Sequence, residues 1–79
     1  YDEAIRLEPE DPIAHYNRGL MHLTQGDFAL AVIDFSAAVR IDPKLAPAFA
    51  DRAKAYSRLG KDAEARADLA RAEELGFSP

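Results

Sequence analysis

Apolar residues recur at helical rather than strand spacing along this 79-residue chain. Phe28, Val32, Phe35, Val39 and Ile41 form one stripe, and Leu69, Ala72 and Leu75 a thinner one. A stripe of this period is the buried face of an amphipathic helix. Punctuating residues divide the chain. Asp11-Pro12 suits a helix start, with Asp at the N-cap and Pro in the first turn, where its missing N–H is no loss. That helix is predicted over about 12–24 and stops at Gly26, a residue able to take the left-handed cap conformation. Asp27 is expected to cap a second helix over 28–41, closed by Asp42-Pro43. A third helix is expected over 46–58 with Gly60 as its stop, and a fourth over 62–75, more loosely started because Lys61 stands where Asp27 stood. Asp62 then helps at the positive end of that helix.

The two halves repeat. A shift of 34 positions lays Ala14, Arg18, Gly26 and Ala29 on Ala48, Arg52, Gly60 and Ala63, and Ala31, Asp34 and Ala38 on Ala65, Asp68 and Ala72. The same shift sets Ala4, Arg6 and Pro9 under Ala38, Arg40 and Pro43, so residues 1–10 read as the end of a preceding second helix. Domain organisation follows as 1–10, 11–44 and 45–79, with the opening segment expected to have been cut from something longer.

A 34-residue helix–turn–helix unit resembles the tetratricopeptide repeat. The likeness rests on Tyr16-Asn17-Arg18-Gly19, Gly26-Asp27-Phe28, Ala31, Phe35, Ala38 and Asp42-Pro43, then on Ala53, Tyr56, Leu59-Gly60, Ala65, Leu69 and Ala72. His15 and His22 depart from the family's usual residues, and Gly76-Phe77 replaces the closing Asp-Pro. The resemblance implies an all-α fold, with antiparallel helical hairpins stacked as a right-handed solenoid whose concave side is lined by first helices. It also implies a scaffold or adaptor that presents this groove to a peptide or helix of a partner protein. Carried over by register, the groove holds Ile13, Tyr16, Asn17, Leu20, Leu23 and Thr24, then Ala50, Asp51, Lys54, Ser57 and Arg58. Its first half is apolar and its second polar with mixed charge, which suits a segment with an apolar anchor and an adjoining charged stretch. Some domains of the family clamp chaperone C-termini with Lys, Asn and Arg. Asn17 matches, but Pro47 and Asp51 stand where Lys and Arg are needed, so that partner is not expected.

Arg18 lies eight residues before Gly26 and Asp34 eight after it; Arg52 and Asp68 straddle Gly60 in the same way. In an antiparallel hairpin, equal distance from the turn is equal height, which predicts two partly buried ion pairs with a structural role. Gly19 and Ala31, like Ala53 and Ala65, are expected to let paired helices approach.

Composition narrows the chemistry. Ten Lys and Arg against fourteen Asp and Glu give a net charge of −4, and the absence of a basic block argues against nucleic-acid binding. The chain has no cysteine, which excludes disulfides, thiolate metal sites and cysteine nucleophiles. His15 and His22, seven residues apart, are separated by roughly 10 Å along a helix, too far to share a metal ion, and are expected in the core or half-buried. Ser36, Ser57, Ser78 and Thr24 lack a His–carboxylate frame, and the glycines are isolated, so no catalytic site, phosphate loop, metal or cofactor is expected. No apolar run approaches a membrane span and no signal peptide is read, so a soluble, cytoplasmic setting is favoured. The competing expectation is self-association through exposed repeat ends, around Tyr1 and Ile5 on one side and Leu69, Leu75 and Phe77 on the other.

Overall fold

In the computed structural model, residues 11–76 are described. They form four helices: α1 (Pro12–Gln25), α2 (Phe28–Ile41), α3 (Ala46–Arg58) and α4 (Asp62–Glu74). The stub expected over 1–10, with Tyr1 and Ile5, lies outside the described residues, as do Phe77 and Ser78. Helix α1 packs on α2 and α3 on α4 as two hairpins, and α3 packs mainly on α2 while touching α1. Among the described residues there is no strand. The fold is an all-α helical repeat.

Local chemistry sets each boundary. The Asp11 carboxylate accepts from the Ile13 and Ala14 amides at 2.9 and 3.4 Å, satisfying donors that the first turn leaves open. Asp27 and Lys61 occupy the same place before α2 and α4, but neither side chain makes a capping hydrogen bond. The expectation that Asp27 caps by its side chain is therefore corrected: the tight α1–α2 turn instead draws the Asp27 amide back to the His22 carbonyl at 2.8 Å. With Gly26 at φ 83°, this is the Schellman closure, and Lys61 repeats it onto Tyr56 at 2.8 Å with Gly60 at φ 79°. Between the hairpins, the Leu45 amide donates to the Asp42 carbonyl at 3.2 Å across Pro43, a β-turn reinforced by the Lys44 amide on the Asp42 carboxylate at 3.1 Å.

Two apolar clusters hold the stack. The first joins Ala31 and Phe35 of α2 to Ala55 of α3, with Tyr16, Leu20, Leu23, Phe28 and Val32 packed around them. It spans the two repeats. The second joins Phe49, Ala50 and Ala72, with Val39 and Leu75 against them. Gly19 turns out to face an aromatic ring rather than bare backbone: a Cβ there would stand 2.6 Å from Phe35 Cε1. The fully buried Phe35 ring occupies the room that the glycine leaves. The equivalent pair in the second repeat is Ala53 and Leu69, one larger and one smaller.

Candidate protein-binding groove

Both repeat pairs of Arg and Asp meet. Arg18 donates to Asp34 through Nε at 2.9 Å and Nη2 at 2.7 Å, and Arg52 to Asp68 at 2.8 and 2.7 Å. The carboxylates are buried and each guanidinium spans both oxygens, the two-point geometry that gives such a pair its directional strength. The hydrogen bonds to Asp68 hold Arg52 above the ordinary guanidinium range, against the opposing effect of its burial. His22, half-buried one turn beyond Arg18, brings Nε2 to 3.5 Å from Asp34. His15 is buried.

Two polar links between repeats were not read from the sequence. Arg52 also donates from Nη1 to Ser36 Oγ at 3.1 Å, and its guanidinium lies over the Phe49 and Tyr56 rings at 5.5 and 5.6 Å. Tyr16 donates its hydroxyl to Asp51 at 2.6 Å. Burial, then the hydrogen bond to Asp51, then that carboxylate's charge, push the Tyr16 phenol well above its usual range. After the 34-residue shift Tyr16 and Asp51 stand one position apart, and Ser36 lies as far before Arg52 as Asp68 lies after it. Those spacings were the available signals.

The residues expected to line a groove divide between several environments. Leu23, Thr24, Ala50, Lys54, Ser57 and Arg58 line an open cleft of about 1030 Å³, together with Gly26, Phe28, Ala53, Asp62, Ala65, Arg66 and Leu69. Asn17 and Leu20 line a separate depression of about 280 Å³ with Met21, Thr24 and Gln25. Tyr16, Leu20 and Leu23 pack against the cluster between the repeats, Tyr16 and Asp51 bond to each other, and Ile13 is exposed outside both hollows. The main cleft thus draws on α4 as well as on first helices. Its floor is small and apolar. Around its edge stand Lys54, Arg58 and Arg66, with Asp62 the only carboxylate in the lining.

The tetratricopeptide repeat family matches residues 1–46 and again residues 46–75. The chain belongs to that family. Repeats of this kind generally mediate contacts between proteins. A TPR repeat-containing thioredoxin of Arabidopsis thaliana is 41% identical over 69 residues, 87% of the chain and 10% of the relative. Human tetratricopeptide repeat protein 16 is 41% identical over 61 residues, 77% of the chain and 7% of the relative. A photosystem I assembly protein of Cyanophora paradoxa is 35% identical over 79 residues, 95% of the chain and 45% of the relative. The chain therefore spans only a tenth or less of the first two relatives and under half of the third. Among the described residues no three His, Cys, Asp or Glu side chains gather as metal ligands. No helix among them is long and apolar enough to cross a membrane.

Proposed function

We propose that this tetratricopeptide segment is a non-enzymatic docking module that holds a short segment of another protein in the cleft between its hairpins. One observation carries the reading: Leu23 and Thr24 from the first repeat and Ala50, Lys54, Ser57 and Arg58 from the second face one open hollow. Its volume, about 1030 Å³, is at the upper end of what ligand sites occupy, and its openness to solvent suits a polypeptide better than an enclosed small molecule. The photosystem I assembly protein among the relatives is named for work done with other proteins, which agrees with this reading.

A photo-crosslinking residue at Ser57, inside the cleft, should capture partner proteins that the same group at Ala67 does not. Ala67 is exposed on α4 and lies outside the lining. Equal capture at both positions would refute the cleft as the binding surface. Self-association is the weaker reading. Of the end residues that suggested it, Leu69 is 44% exposed while Leu75 is packed into the second cluster. Sedimentation over a dilution series separates the two, since a concentration-independent monomer leaves only docking of a different protein.

A further inference from the structure

The two repeats carry the same face with different chemistry. In the first, Leu20, Leu23, Phe28 and Val32 surround Ala31 and Phe35 and receive helix α3 through Ala55. The equivalent positions of the second repeat are Lys54, Ser57, Asp62 and Arg66, around Ala65 and Leu69. A face whose shape accepts a helix has therefore lost most of its apolar rim and gained cations. Its floor is still suited to close approach: Ala50, Ala53 and Ala65 are buried alanines in the cleft.

The charges are unequal in their partners. Lys54 lies 3.5 Å from Asp51. Arg58 rests its guanidinium 6.0 Å from the centre of the Phe28 ring, and no carboxylate among the described residues is in ion-pair range of Arg58 or Arg66. On a chain of net charge −4, this is a locally basic wall. A further helix resembling α3 would meet it with a methyl group, since α3 packs the fully buried Ala55 against Ala31 and Phe35. That would desolvate cations with nothing to pair them. A two-fold contact with a second copy would set Arg58 and Arg66 against cations of the same face.

We propose that the cleft on the second hairpin docks an acidic amphipathic helix of a partner protein, whose carboxylates pair with Arg58 and Arg66 while a leucine-sized side chain packs on Leu69. This rests on the docking role proposed above and names the chemistry of the partner. Helical shape comes from the equivalence with the seat of α3, and acidity from the charge of the wall.

Fluorescence anisotropy on the 79-residue chain tests it with three labelled 14-residue peptides. They share the same alanines and leucines and carry Glu, Gln or Lys at every polar position. The Glu peptide should bind about tenfold or more tighter than the Gln peptide, weaken with added salt, and lose that advantage to the Lys peptide in the R58E/R66E variant. Circular dichroism at 222 nm verifies that the variant stays helical. Equal binding of the Glu and Gln peptides would overturn the acidic partner while leaving the cleft a docking site. Binding by none of the three would overturn both. A Glu-peptide affinity unchanged in R58E/R66E would place the contact elsewhere. A concentration-dependent dimer broken by the Glu peptide, or a longer natural form of the chain that no longer binds it, would assign the face to a second copy or to a neighbouring segment instead, and equally overturns the proposal.

Discussion

Arg18 and Asp34 close a two-point contact across the first hairpin, Nε to Oδ2 at 2.9 Å and Nη2 to Oδ1 at 2.7 Å, with the aspartate side chain only 3% exposed. The two members differ in their access to water, because the arginine side chain stays 30% exposed. Arg18→Ala leaves a buried carboxylate with only the longer His22 contact at 3.5 Å among the described residues, whereas Asp34→Ala leaves a cation that can still hydrate. Urea unfolding should therefore show the larger loss for Arg18→Ala, about 3 kcal/mol, and a smaller one, about 1–2 kcal/mol, for Asp34→Ala. Equal losses would mean that burial of the carboxylate does not govern the pair.

The Gly19–Phe35 contact makes a prediction about coupling. A methyl at position 19 would stand 2.6 Å from the ring edge, so Gly19→Ala should destabilise by about 1–2 kcal/mol even though alanine favours helix. The second repeat already uses the alternative, Ala53 with Leu69. Gly19→Ala with Phe35→Leu should accordingly lose less than the two single changes added together. Denaturant midpoints for the four members of the cycle measure this, and strict additivity would contradict it.

How much of this could be seen in the chain alone depends on whether a feature is local or crosses between repeats. Gly26, Gly60 and Asp42-Pro43 act within a few residues of themselves, so they mark turns without any knowledge of packing. The hairpin pairs are nearly as plain, because one turn glycine sets the height of Arg18 against Asp34 and of Arg52 against Asp68. Contacts between repeats depend on how one hairpin leans on the next, which no short spacing encodes. Arg52 to Ser36 and Tyr16 to Asp51 are of that kind, and so is the partial packing of Leu20 and Leu23 on the cluster that includes Ala55 of α3, although each also lines one of the two hollows. Leu69, Ala65 and Arg66 entered the cleft for the same reason: second helices contribute to it once the stacking angle is known.

Capping separates two aspartates that look alike in sequence. Asp11 accepts from two amides of α1, while Asp27 accepts from none in α2. Asp11→Ala should lower stability by about 1 kcal/mol, and Asp27→Ala by a few tenths at most. Thermal melts of the two variants beside the parent chain would decide, and a comparable loss from Asp27→Ala would show that its charge or backbone geometry matters where its side-chain bond does not.

The Tyr16–Asp51 bond gives a pH dependence with a definite sign. Folding raises the Tyr16 phenol above its unfolded value of about 10, chiefly by burial and then by the hydroxyl's bond to Asp51. At alkaline pH the unfolded chain therefore releases this proton first, and the folded state becomes progressively harder to maintain. The contribution is fully present below about pH 10 and is lost as pH rises toward the folded value. Tyr16→Phe removes the titrating group and should flatten the fall in the urea midpoint between pH 8 and pH 11, at the expense of the inter-repeat bond at neutral pH. Tyr56→Phe serves as the control, since Tyr56 stacks beneath Arg52 without sharing the Asp51 contact. Should Tyr16→Phe lose stability over that interval as steeply as the parent and Tyr56→Phe do, the alkaline loss would have to come from groups other than this phenol.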